Sequence, residues 1–230
     1  MATASGSRDF GTASERSYIT VATRPNIGTA DITAIGWFKS SSLAANQTII
    51  GGASIDWDFI ETRPNDAGTV YGGTSALEGT STYSTGQWGF VGMTYDDATP
   101  TRTIYFGESD VNAVAQGSDS QTVDATTGTG CAIGILYDGT PDFAMSGDIG
   151  NVLLFEAELT AAQMQEAQWN PFFCPVNPWA HWPLFFAGTT SELDISGNGR
   201  TGTLTSSGGD PKPLVNVDSP PVGMYAMMAQ

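Results

Sequence analysis

Trp182-Pro183-Leu184-Phe185-Phe186, followed by Glu192-Leu193-Asp194-Ile195-Ser196-Gly197-Asn198-Gly199-Arg200-Thr201-Gly202-Thr203-Leu204, is the stretch whose reading decides the fold. An aromatic run of strand character passes through a loop into a turn dense in Asp, Ser, Asn and Gly, and a short Thr-Leu strand leaves it. Glycine supplies positive φ, and Asp, Ser and Asn side chains bond their own backbone. The pattern therefore predicts a long β-hairpin closed by a tight turn.

Working outward, the rest of the chain is a succession of short strands. Asp31 to Lys39 places Ile32, Ala34, Gly36 and Phe38 on one face and Thr33, Ile35 and Trp37 on the other, so a central strand is expected. Tyr18 to Ala22, Gln47 to Gly51, Trp57 to Thr62, Trp88 to Tyr95, Arg102 to Phe106, Cys131 to Leu136 and Ile149 to Phe155 read as further strands, and Val70-Tyr71 opens another. The polar stretch 107–130 reads as a long surface connection with one strand near Gln121-Thr122-Val123. Thr160-Ala161-Ala162-Gln163 is a capping box for a single short helix that stops at Asn170-Pro171. Pro171, Pro175, Pro178 and Pro183 then punctuate an extended crossing anchored by Phe172, Phe173, Trp179 and Trp182.

Length and composition bound the function. The 230 residues fit one β domain, 1–230, with 1–9 as an N-terminal arm and 220–230 as a C-terminal arm. Twenty-four acidic against eight basic residues give a net charge of −16, which repels phosphate backbones and argues against nucleic-acid binding. The N-terminus has no apolar signal region and no window approaches the length of a membrane span, so synthesis in the cytoplasm and no membrane partner are expected. Cys131 and Cys174 lack metal-type spacing and read as two buried thiols. His181, the lone histidine, reads as a packed, hydrogen-bonded side chain.

The D-x-S-G-N-G-x-x-G-T-L turn at Asp194 to Leu204 carries a family resemblance, together with Phe10-Gly11-Thr12 to Tyr18-Ile19, the 32–38 strand, Gln87 to Asp96 and Gly147 to Phe155. These pieces resemble the laminin-G-like jelly rolls of the concanavalin A-like lectin and glucanase superfamily. The resemblance implies an all-β, two-sheet antiparallel jelly-roll sandwich with one short helix. In many members the hairpin precedes the Phe-x-Gly-Thr strand; here it follows, the order a circular permutation would give.

Three site readings accompany it. Asp194, Ser196 and Asn198 place oxygens at alternating positions like the first half of a calcium loop, although Thr205 stands where a bidentate Glu would close it. A structural turn without any ion, hence no cofactor, explains the same residues. Asp56, Trp57, Asp58 and Tyr71 offer an aromatic face and acids for a sugar. Met224, Tyr225, Met227 and Met228, in a tail without charge, suit an assembly arm across a neighbouring subunit. Laminarinase-type hydrolases resembling this fold use E-[L/I]-D-x-x-E; Glu192-Leu193-Asp194 matches its start, but the final acid is missing, so Glu192 is an accidental match and no enzyme is expected. The resemblance implies a non-enzymatic structural protein of a virus particle, a tailed-phage capsid decoration or tail accessory protein. Its partners would be capsid or tail proteins or copies of itself, and its location the virion. A carbohydrate-binding, lectin-like module, with or without calcium, is the alternative.

Overall fold

The computed structural model describes residues 7–12, 17–25, 30–44, 46–52, 62–64, 69–72, 77–120, 130–137, 141–185, 190–206 and 220–221. Two antiparallel sheets face each other. Sheet A runs β1 (Arg8–Asp9), β14 (Gly147–Phe155), β3 (Ile32–Ser40), β8 (Gly89–Asp96), β9 (Thr101–Glu108), β10 (Val111–Asp119), with β15 (Ala180–Trp182) beside β1 on the same flank of β14. Sheet B runs β16 (Ser191–Glu192), β17 (Gly202–Ser206), β2 (Ser17–Val21), β11 (Cys131–Ile133), β4 (Ile50–Gly52), β5 (Thr62–Pro64), β6 (Thr69–Gly72), β7 (Leu77–Thr82). A small ribbon pairs β12 (Leu136–Tyr137) with β13 (Pro141–Asp142), and the helix α1 covers Ala161–Trp169. The expected two-sheet jelly roll with one helix is the observed architecture.

Sheet A is apolar on both faces, as the alternation in β3 predicted. Ile32, Ala34 and Phe38 of β3, Val91, Met93 and Tyr95 of β8 and Ile104 and Phe106 of β9 turn inward to meet Ile19, Val21, Ile50 and Ile133 of sheet B. Ile35, Trp37, Phe90, Tyr105, Leu153 and Phe155 point the other way, into a second core closed by Leu159, Met164 and Ala167 at the helix. Burying these side chains on both faces is worth roughly 1.5–3 kcal/mol each before the entropy of ordering is subtracted.

The helix is held to β3 at both ends. Thr33 Oγ1 donates to the Ala157 carbonyl and accepts from the Leu159 N–H, while the Trp37 indole N–H donates to the Gln168 carbonyl at 3.0 Å. Thr160 and Gln163 form the expected capping box. Gly92 lets the helix approach: a Cβ there would lie 2.6 Å from the Met164 sulfur.

Three local expectations change. The polar stretch after Gly107 is a nine-residue edge strand, β10, and what hides it in the sequence is its bulged register against β9. The bulge needs outside partners, and Gln168, fully buried, supplies them: its amide donates to the Val111 and Glu108 carbonyls and accepts from the Ala113 N–H at 2.7 Å. The helix therefore repairs the sheet edge as well as packing on it. The long hairpin is also divided, because β15 joins sheet A while only β16 and β17 form the hairpin, in sheet B. Trp182, buried between the sheets, gains more as core than as a hairpin partner. Strand β4 begins at Ile50, not Gln47, since the Gln47 side chain is spent on Ser40, the Ser42 carbonyl and the Ser146 N–H. Gln121 to Val123 and most of the Trp57 to Thr62 strand lie outside the described residues.

Replacing Trp37 or Trp88 by Ala should cost about 3–5 kcal/mol through lost burial and a residual cavity. Gln168→Ala should cost roughly 1–3 kcal/mol, because the Ala113 N–H is left buried without its acceptor. Urea unfolding measures both, and Gln168→Ala should raise amide exchange selectively in β10. A midpoint unchanged by these substitutions would mean that the second core is misassigned.

Candidate functional site

The turn between β16 and β17 is built around one carboxylate. Asp194 Oδ1 accepts the backbone N–H groups of His181 at 3.0 Å and Ser196 at 2.9 Å, and Oδ2 accepts that of Arg200 at 2.8 Å. Gly197 and Gly199, at φ 87° and 73°, provide the two left-handed residues that close the loop. The Ser196 hydroxyl donates to the Trp179 carbonyl and accepts from the Asn198 N–H. The Asn198 amide donates to the Pro178 and Trp179 carbonyls, and Arg200 donates to Trp179 O at 2.7 Å with its guanidinium 3.8 Å from the Trp179 ring centroid. The Trp182 indole N–H donates to the Arg200 carbonyl.

Asp194, Ser196 and Asn198, the candidate calcium ligands, are thus brought together in one turn, with polar atoms of each engaged by the chain itself. Burial pushes the Asp194 carboxyl upward, but the donors from His181, Ser196 and Arg200 outweigh it and hold the group below its ordinary value. Among the described residues, no three His, Cys, Asp or Glu side chains are grouped so as to hold a metal ion.

His181 sits where this turn meets sheet A. Its backbone pairs with Leu153 of β14, and its carbonyl accepts from Ile195 N–H at 2.9 Å. The ring lies against Phe172, and Nε2 is 3.3 Å from Asn151 Oδ1. Asn151 occupies a bulge in β14 at φ 49°; Gly150-Asn151 inside an apolar run is the sequence signal for it. Burial lowers the His181 pKa to about 4, and the Asp194 carboxylate opposes this only in part, so the ring is neutral at pH 7. The packed, hydrogen-bonded histidine expected from the sequence is what stands there.

Glu192 has a role that the sequence reading missed. It is fully buried in β16 and accepts a hydrogen bond from Arg8 of β1 at 2.8 Å, an ion pair linking the edges of the two sheets. No local signal announces it, since the partners are 184 residues apart in sequence. The other candidates are dispersed. Asp56, Trp57 and Asp58 lie outside the described residues, as do Met224, Tyr225, Met227 and Met228. Tyr71 is on β6, opposite Arg63 and Glu78. Of the 1–9 segment, Arg8 and Asp9 pair with β14 as part of sheet A. Cys131 and Cys174 are free thiols, the first buried and pushed up to about 12 by that burial, the second half-buried.

The lowered His181 pKa fixes a sign. Between its folded value near 4 and its ordinary value of 6.5, the unfolded chain binds more protons than the folded one. This stability is complete above pH 6.5 and is lost as the pH falls toward 4, by at most about 3 kcal/mol. Asp194 acts in the same sense at lower pH. Unfolding midpoints against pH should therefore drop over that window in the native protein and more weakly in His181→Gln; parallel profiles would assign the acid sensitivity elsewhere.

Comparison with known proteins follows the geometry. No curated protein sequence is significantly similar to the chain. Among solved structures, a candidate carbohydrate-binding protein from Bacteroides ovatus superposes with TM-score 0.66 at 20% identity over 92% of this chain, which spans 61% of that protein's length. A heptameric SAP-like pentraxin from Limulus polyphemus gives 0.55 at 14% identity, covering 73% of this chain and 83% of that one. The CBM40 of the Ruminococcus gnavus IT-sialidase gives 0.50 at 13%, covering 60% and 82%. At these identities the likeness is one of fold. The family model described as the concanavalin A-like lectin/glucanases superfamily, Laminin_G_3, matches residues 13–165, and with the two-sheet sandwich around it the chain belongs to that superfamily.

Proposed function

We propose that the chain is a non-enzymatic recognition domain of lectin-like type, serving as a structural protein of a virus particle, a tailed-phage capsid decoration or tail accessory protein. The observation that carries the non-enzymatic part is the burial of Glu192. A hydrolytic carboxylate must reach the scissile bond and work with a second acid. Glu192 is sealed between the sheets on Arg8, while Asp194 spends both oxygens on backbone N–H groups. With both Asp194 oxygens accepting backbone N–H groups and the Ser196 hydroxyl and Asn198 amide tied to the chain, we propose that the turn is structural, without a resident cofactor. No helix among the described residues is long and apolar enough to cross a membrane.

The particle role is supported by the sheet edges and by chain order. An edge whose bulge is closed by Gln168 and whose β7 seam is closed by Gln116, bonded to Thr80 and the Ser81 N–H, resists uncontrolled strand addition. A protein displayed in many copies needs that property. Chain order is the one a circular permutation would give: β17 pairs with β2 so that Ser206 faces Ser17, and a tight turn there would make them an ordinary hairpin. The family match ends at residue 165, before β15 to β17 complete the sheets.

Glycan binding is the second reading, favoured by the similarity over 92% of the chain to a protein described as a candidate carbohydrate-binding protein. Mass spectrometry of purified virions and a glycan array read with and without chelator separate the two. Detection in virions supports the first; strong binding to one glycan supports the second, and its loss with chelator would restore a calcium role. Wild type should release no reducing sugar from laminarin, and Glu192→Gln should lose about 3–5 kcal/mol of stability by taking the negative charge out of a buried ion pair. Hydrolysis that this variant abolishes would overturn the non-enzymatic reading.

A further inference from the structure

We infer a binding platform for an uncharged saccharide at the C-terminal end of α1, resting on the glycan reading above and placing its site away from the Asp194 turn. Phe173, in the single 3₁₀ turn after the helix, is 55% exposed, and Val111 of β10 is 49% exposed. Half-buried Trp169 lies between these segments, its ring 5.9 Å from that of Trp37 beneath and its indole N–H bonded to Asn112 Oδ1 at 2.8 Å. That bond and the packing below fix the indole plane. Asn170 donates to Glu166 Oε1 at 2.7 Å, and the Phe173 N–H donates to the Asn170 carbonyl, so the polar rim is held as well.

Aromatic rings bind the apolar C–H face of a sugar, and neighbouring amides and carboxylates bond its hydroxyls. The Trp169 ring and the rim, held in place before the ligand arrives, lose little freedom on binding. Charge selects among sugars. The segment from residue 103 to residue 199, which builds β10, α1 and the turn after it, contains no Lys or Arg, while Glu108, Asp110 and Glu166 lie on it. A sialylated or phosphorylated ligand would meet no cation from these elements, so the platform suits a neutral one.

The test is an array of uncharged and sialylated oligosaccharides titrated with wild type, Phe173→Ala, Asn112→Ala and, as control, Leu43→Ala. Phe173 and Asn112 are exposed, so unfolding midpoints should stay at the wild-type value. The half-saturating concentration on uncharged glycans should rise at least tenfold for Phe173→Ala, severalfold for Asn112→Ala, and not for Leu43→Ala. Binding that Phe173→Ala leaves unchanged, or signal confined to sialylated glycans, overturns the platform while keeping the glycan reading. A blank array for the wild type removes both.

Discussion

Sheet A has to be kept dry on both faces. That constraint follows from β3 and β8, whose side chains alternate between two apolar sets, and it cannot be met by the second sheet alone. The helix and the proline-punctuated crossing after it exist in this fold as the other cover. Each polar tie described above serves it: Thr33 and Trp37 hold the helix down, Gln168 mends the bulge beneath it, and Asp194 fastens the returning chain through His181. Removing any one of them strands a buried polar group, which costs more than the bond itself contributes.

Much of this was legible in the sequence, for reasons that differ by element. The two-faced pattern of residues 32–38 is a periodicity, and periodicity survives in one dimension, so a central strand with a buried Trp37 could be read directly. Thr160 and Gln163 carry a cap whose partners are three residues apart, and it too was readable. Strand β10 was not, because Val111 and Val114 face solvent and the register shifts twice, leaving neither alternation nor an apolar run. The Arg8–Glu192 pair was invisible because no local rule reaches 184 residues.

The candidate site divides the same way. Asp194, Ser196 and Asn198 were found because turn chemistry is local, and the structure gathers them. What those residues are for depended on groups from elsewhere in the chain: the His181 N–H, the Trp179 carbonyl and the guanidinium of Arg200 over the Trp179 ring. A spacing that imitates a calcium loop and one that builds an Asx turn are the same spacing; only the donors arriving from β15 distinguish them.

The pairing of β17 with β2 also sets a timetable for biosynthesis. Strand β17, the last among the described residues, is the neighbour of one of the first, and Glu192 must find Arg8 184 residues away. At about 5–20 residues per second, roughly 10–40 s separate the two. Through that interval the flank of β2 that β17 later covers has no partner in sheet B. The nascent chain is most vulnerable to wrong pairing then, and it escapes only when the segment carrying β16 and β17 emerges, so the order of synthesis makes this fold dependent on that late segment in a way that its finished stability does not reveal.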